Sequence, residues 1–399
     1  MVESACDVLV IGGGPAGSAT AAILARCGVR VTIIDRAHFP RAKPCGDYLN
    51  PGCDAVLARL GVRDSLIGAG AQPVRGMRVA TPDGTALRLP FARSSGWALP
   101  RHTLDHLLLG HAARSGAVVI EDARVCGVEQ VRHHAVVHAE HAGARRVSYV
   151  GRLVIGGDGR HSTAARMING ASAPLRGRYT VGAYLEGVAP ASGGGQLGEL
   201  HLGTHRYCGV AYLPGGQANV TIALSRPELR RWKGDMEYRY WETLRTFPDL
   251  ADRVRSARRT GRFQTSGPLA YRRGRTASGR VLLVGDAAGH VDPMTGQGLF
   301  LALRGAELAA QAAQDALSGV VSAALRRYER AYRREFGSVF LMSRILQLLA
   351  FHPAAIRRAT RRMAADPGLG ARLIGAVGNV EPSGSALRPG FVARILGIL

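Results

Sequence analysis

Apolar and polar positions along this chain group into two kinds of pattern. Cys6–Ile11 is an apolar run broken only by Asp7, and Leu153–Ile155 and Val281–Val284 are shorter runs of the same kind. Such runs predict strands buried on both faces. The first leads into Gly12–Gly17 and then an alanine-rich stretch, Pro15–Cys27, that predicts a helix. Val29–Ile34 predicts the next strand, ending at Asp35. Strand, glycine turn, helix and strand make one βαβ unit. A helix is expected around Leu104–Ser115, short strands from Val118 through to Ile155, and a long helix from about Gly296.

Elsewhere the pattern alternates. Two alternating stretches between Val74 and Leu89 flank Pro82-Asp83-Gly84, a hairpin signal. Between Tyr179 and Leu224, the segments Val181–Leu185, Val210–Leu213 and Val220–Leu224 alternate and are separated by glycine-rich turns such as Ser192–Gly195. This predicts an antiparallel sheet inserted into the nucleotide fold as a substrate-facing module. Arginine-rich helices are expected over Arg226–Arg259, and helix or loop after Val320. Val339–Phe351 is apolar except at Ser343, Arg344 and Gln347, and a basic helix, Arg357–Met363, follows. Two readings stand for this tail. It is a core helix capping a cavity, or a surface that docks peripherally on anionic lipid and admits a greasy substrate.

Composition adds little to this picture. The 399 residues are 46% hydrophobic and 20% charged, a globular profile. The net charge is +23, but only Lys43 and Lys233 among the 52 cations are lysines. Arginine scattered through Ala/Gly-rich sequence, with no basic stretch interleaved with aromatic residues, argues against a nucleic-acid partner. Six cysteines without CxxC spacing or accompanying histidines give no zinc site, and no metal is expected. With no signal peptide and no apolar run of membrane length, the chain is expected to be cytoplasmic, or peripheral at a membrane.

Three motifs carry chemistry. In Gly12-Gly13-Gly14-Pro15-Ala16-Gly17, Gly12 permits the turn, Gly14 lets backbone approach a pyrophosphate, and Gly17 lets helix pack on strand. The pyrophosphate would sit at the N-terminus of the helix opened by Pro15 and Ala16. Asp35 follows at the end of the second strand, placed to accept ribose hydroxyls, with Arg36 beside it. This motif alone leaves NAD and FAD open. Two distant motifs select FAD. Gly156-Gly157-Asp158-Gly159 follows one buried strand. Gly285-Asp286-Ala287-Ala288-Gly289 follows another and continues to Pro293 and Gly296-Gln297-Gly298. Asp286 suits the ribityl hydroxyls of a flavin. The amides at Gly296–Gly298 suit the flavin edge where negative charge accumulates on reduction.

These motifs, with Pro100-Arg101 and Leu104-Asp105, resemble the FAD-dependent monooxygenase and reductase superfamily built like p-hydroxybenzoate hydroxylase. Within it, Lys43-Pro44-Cys45-Gly46 looks like the Lys-x-Cys-Gly element of the geranylgeranyl reductase family. The fold expected is α/β: a Rossmann-type FAD-binding domain with an inserted antiparallel-sheet substrate domain and a helical C-terminal region. The FAD-binding parts are set at 1–73, 101–175 and 275–319. The substrate parts are a hairpin at 74–100 and the sheet at 176–274, and the helical region is 320–399. The resemblance implies that Arg101 helps hold the FAD and that Cys45 lies near the substrate side of the flavin; Gly46 is expected at the cofactor with Cys45, and Lys43 is expected to partner the FAD phosphates or a nearby carboxylate. The Trp-x-Trp-x-Ile-Pro signature of flavin halogenases is absent.

The family relatives reduce isoprenoid double bonds, with some hydroxylases and epoxidases among them. The expected activity is therefore hydride transfer from the flavin to a carbon–carbon double bond of a hydrophobic or aromatic small molecule. The alternative is O2-dependent hydroxylation or epoxidation through a flavin C4a-hydroperoxide, and from another class, a basic membrane- or nucleic-acid-binding protein with a structural flavin. A reductase needs a proton donor as well as a hydride, and Cys45, Tyr212 or a bound water are the candidates. One departure concerns the pocket. Where the reductases carry Trp-x-Phe-Pro, this chain has Ala211-Tyr212-Leu213-Pro214. Ala211, Tyr212 and Pro214 are expected at the pocket, with Tyr212 on the opposite strand face from Ala211 because side chains alternate. Only one dinucleotide fingerprint is present, so electrons come from NAD(P)H without its own Rossmann domain or from an electron-donor protein.

Overall fold

The computed structural model describes residues 2–92, 94–141, 143, 145–170, 177–191 and 195–398, with side chains from Cys6 onward. The turn expected at Ser192–Gly195 lies outside these residues except for Gly195, as does the expected boundary at 175/176.

The apolar runs form the centre of a mostly parallel sheet. Val2–Ile11 pairs in parallel with Val31–Ile34 on one side and Arg146–Gly156 on the other. Val118–Ile120 extends one edge, and Val281–Leu283 extends the other beside the end of Arg146–Gly156. The first half of Arg146–Gly156 pairs instead with Ala135–His141, which pairs with Ala123–Gln130. One long strand thus serves both the parallel sheet and an antiparallel three-stranded flap. Val8, Leu9, Val10, Leu153, Val154, Val281 and Leu282 are fully buried, as strands covered on both faces require. The helices Pro15–Arg26 and Gly298–Ser318 pack against them.

The alternating segments form a second sheet. Its order is Arg258–Ser266, Tyr179–Glu186, Gln217–Leu224, Tyr207–Tyr212, Leu197–Leu202, Gly76–Ala80, Ala86–Pro90. The hairpin from the first third of the chain joins this sheet through a parallel pairing of Gly76–Ala80 with Leu197–Leu202. Period-two alternation divides its faces. Val181, Ala183, Val210, Val220 and Ile222 point to a layer of short helices, where they meet Tyr240, Leu244 and Phe247. The opposite face looks towards the nucleotide sheet. The expectation of helices throughout Arg226–Arg259 is corrected at its end. The helices are Arg226–Arg231, Met236–Arg245 and Pro248–Ala251, and Arg258 opens an edge strand. An edge strand tolerates charged side chains facing water, which hid it among the arginines.

The tail is helical: Val321–Ala350, Pro353–Ala365, Pro367–Val377 and Pro389–Leu396. Among the described residues no single helix is long and apolar enough to cross a membrane. Val321–Ala350 and Pro353–Ala365 reach that composition only together, across a 106° bend. The tail is tied to the loop after Val281–Leu283 by polar contacts. Gln347 donates to the Asp292 carboxylate at 2.5 Å, Thr295 and Ser343 hydroxyls lie 2.9 Å apart, and Gln297 donates to the Val377 carbonyl at 2.7 Å.

Candidate active site

A cavity of about 1140 Å³ runs between the two sheets and under the tail. That exceeds the ~300–1,000 Å³ of an ordinary small-molecule pocket. One end is a cradle of backbone and charge. The other is walled by apolar side chains.

The cradle is built where parallel strands end. Gly12 has φ +100°, and a Cβ there would lie 2.6 Å from the Gly157 carbonyl oxygen. On Gly17 it would lie 1.9 Å from the Gly12 oxygen, so helix Pro15–Arg26 sits as close to the strand as the motif requires. That helix begins with no side-chain cap, and its first amides are open to an anion. Asp35 accepts from the Gly13 amide at 2.7 Å and the Ala37 amide at 2.9 Å, and it lines the cavity with Gly14, Pro15, Ala16 and Arg36. On the far side, Asp158 Oδ2 accepts from the Thr163 amide at 2.6 Å, while its buried Oδ1 has no partner among the described residues. Burial pushes the Asp158 carboxyl up from its ordinary value, against hydrogen bonds from Ser162 and Thr163. A buried acceptor without a donor is a place for a ligand hydroxyl.

Asp286 lines the same cavity. Its backbone carbonyl accepts from the Tyr271 hydroxyl at 2.6 Å, and no hydrogen bond reaches its carboxylate among the described residues. Gly285 (φ +60°) and Gly296 (φ +63°) turn the chain around it, and Pro293 and Gly298 complete the wall. Helix Gly298–Ser318 also begins without a side-chain cap. Two uncapped helix N-termini and two carboxylates with open valence fit the phosphates and hydroxyls of FAD. Gln297 is expected at the cofactor through its backbone amide, and its side chain has a separate role. Its side chain is fully buried and turned away, donating to Val377 and accepting from Asn379 at 2.6 Å, so it anchors the tail.

The Lys43–Gly46 loop lines the cavity. Lys43 Nζ lies against Gly159. Burial pushes its ammonium group down, Asp286 opposes this, and Arg101 and Arg41 add to it. Arg101 is buried and forked on Asp105 at 2.7 and 2.8 Å, with Arg41 sharing that carboxylate. Its guanidinium also reaches the Cys45 thiol, which burial nevertheless holds above the ordinary thiol range. A clamp that the sequence reading missed fixes this loop. Asn219 donates to the Cys45 carbonyl at 2.8 Å and to the Asp47 carboxylate at 2.7 Å, and Asp47 also accepts from the Arg101 amide at 3.0 Å. Asp47 is fully buried, and burial raises it to about 6 despite bonds from Asn219 and Tyr184. Asn219 is separated from this loop by most of the substrate sheet, so no local pattern marked it. Tyr48, packed on Gly296, was also missed.

Part of the cavity wall is apolar. Leu89, Ala211, Leu346, Met363, Leu373 and Ile374 line it, so the tail closes its outer end. Ala211 packs with Leu89 and Ile374. Tyr212 does not reach the cavity. Its hydroxyl donates to Glu199 at 2.9 Å and accepts from Arg253 at 2.6 Å on the helix-covered face. Its candidacy as proton donor is corrected by the same alternation that separates it from Ala211. Pro214 is also outside the lining, in a turn beside Gly70.

Two Gly-cradled sheet ends, an acid at each and an apolar chamber alongside define a flavin-dependent oxidoreductase fold. A family model described as FAD binding domain matches residues 5–338, and the chain belongs to that family. It is an FAD-dependent oxidoreductase. Digeranylgeranylglycerophospholipid reductase 1 of Methanothermobacter thermautotrophicus is 28% identical over 83% of each chain. Menaquinone reductase of Mycobacterium tuberculosis is 31% identical over 78% of this chain and 77% of its own. A flavoprotein/dehydrogenase structure from Cytophaga hutchinsonii superimposes with a TM-score of 0.86, covering 99% of each chain at 18% identity, which is a likeness of fold.

Proposed function

We propose that this protein reduces a carbon–carbon double bond in a prenylated or similarly apolar substrate. What supports the reading is one cavity lined both by the glycine-and-acid cradle and by apolar side chains, with Cys45 also in its wall. The two reductase relatives, whose names denote a prenyl lipid and a quinone, support it. When bound and reduced, FAD supplies a hydride. Gly14, Pro15 and Ala16 would hold its pyrophosphate, Asp35 its ribose, and Asp158 and Asp286 its remaining hydroxyls. Leu89, Ala211, Leu346 and Met363 orient the apolar substrate and keep water out. Burial keeps Cys45 Sγ protonated, so the thiol holds the proton that the second carbon needs. NAD(P)H or a partner reductase supplies the electrons. In the test, holoprotein reduced with dithionite under nitrogen is mixed with a prenyl lipid or a prenylated quinone. Reoxidation of the flavin by the lipid without oxygen is expected. A flavin that stays reduced with every apolar alkene and reoxidises only in air would defeat the reading.

A further inference from the structure

Helix Pro353–Ala365 forms part of the wall of the cavity. In Pro353–Ala365, Ile356, Thr360 and Met363 face the cavity. Arg357, Arg358, Arg361 and Arg362 are exposed on the other side, and the helix contains no acid. Positions i, i+1, i+4 and i+5 fall on one side of a helix. Arg357, Arg358 and Arg361 form no salt bridge among the described residues. The acids nearby are few. Asp366 pairs with Arg394, and Asp83, held by Thr81 and Thr85, feels Arg357 at a distance. The preceding helix adds apolar surface: Leu341 is 52% exposed and Leu348 66%, on one helix face with Arg344. A 106° bend joins this helix to the arginine-bearing one.

We infer that this face docks on an anionic lipid bilayer, with the arginines on phosphate headgroups and Leu341 and Leu348 in the interface. The inference rests on the apolar-substrate reading in one respect, since the wall that meets the membrane is the wall of the substrate chamber. A cationic helix face, with exposed leucines on the preceding helix, complements an anionic membrane surface, where each arginine contributes about a fivefold gain in partitioning. Neither Leu341 nor the four arginines touch the cavity, so substrate chemistry and docking can be separated.

The experiment uses FAD-loaded full chain and sedimentation with phosphatidylcholine vesicles, with and without phosphatidylglycerol. Binding to the anionic vesicles only is expected. Arg357→Gln/Arg358→Gln/Arg361→Gln/Arg362→Gln should lower it by about 100-fold or more, and Leu341→Ser/Leu348→Ser by about tenfold or more, both with unchanged flavin content and unchanged turnover of detergent-dispersed substrate. A control with four arginines removed elsewhere, Arg230, Arg231, Arg255 and Arg258, should bind nearly as the parent does. Equal loss in that control would show a response to net charge alone and overturn the inference, as would equal binding to neutral vesicles. Tighter binding to duplex DNA than to vesicles, lost in the same quadruple variant, would also overturn it. If vesicle binding follows this pattern but no apolar alkene is reduced, the functional reading fails and the docking surface stands.

Discussion

Asp158 and Asp286 occupy equivalent places at strand ends, yet the structure gives them different work. Asp158 Oδ2 holds the start of helix Thr163–Asn169, and only Oδ1 is left for a ligand. The Asp286 carboxylate makes no such internal bond among the described residues and is wholly available. Asp286→Ala should therefore weaken FAD binding by about 10- to 100-fold, the ~1.5–3 kcal/mol of a charge-assisted hydrogen bond. Asp158→Ala should weaken it less and lower thermal stability as well. Titration of both apoproteins with FAD checks the ranking, and equal affinities would count against it. Ala211 poses a question of shape. It lies between Leu89 and Ile374 in the chamber wall, so Ala211→Trp should occlude substrate while sparing FAD. Overpacking there costs roughly 1–3 kcal/mol, so melting temperature must be read beside activity. A folded variant with full turnover would show that this wall does not meet the substrate. The alternation that places Ala211 was legible in the sequence, and it also turns Tyr212 away. The Asn219–Asp47 clamp was not legible, because it joins residues that only tertiary folding brings together.

At the level of elements, polar clusters lock layers that the hydrophobic pattern only brings close. Glu199 on the substrate sheet is bonded by His201 at 2.7 Å and Arg253 at 2.7 Å, and Arg78 and Arg253 both bind Asp249 on the covering helix. Burial alone would raise the Glu199 carboxyl, but its bonds from His201 and Arg253 outweigh this and hold it at about 2. A carboxyl held below its unfolded value stabilises the fold above roughly pH 4.3 and loses that contribution as pH falls towards the folded value. Unfolding midpoints should therefore drop between about pH 4 and pH 2, and Glu199→Gln should flatten that part of the profile. An unchanged profile in the variant would assign the acid sensitivity elsewhere. The C-terminal layer depends on a second cluster. Gln347→Ala leaves the buried Asp292 without one donor, at a cost of ~1–3 kcal/mol. Thermal unfolding of the holoprotein measures this. The sequence marked the tail as helical and apolar. It also offered a helix capping a cavity, as Leu346 and Met363 do, but it could not pick out Ile374, which lies in a later helix outside the apolar stretch.

For the whole molecule, the glycine motifs and their acids were legible because each is local: a strand, a turn and a helix start within a few residues. The chamber was not, because it is assembled from the hairpin near Leu89, the strand holding Ala211 and helices after residue 340. One consequence concerns the cofactor itself. The purified protein should be yellow and release FAD on heating, and release of FMN, NAD or nothing from folded protein would contradict the cradle assignment. The reading rests on the chamber presenting an apolar double bond for reduction. The most direct measurement is a single turnover of reduced holoprotein under nitrogen with a prenylated substrate, with the product analysed by mass spectrometry. The account predicts a product heavier by two hydrogen atoms with one double bond lost, formed without oxygen, and formed more slowly by Cys45→Ala. Recovery of unaltered substrate under nitrogen, with an oxygen-containing product only when air is admitted, would contradict it.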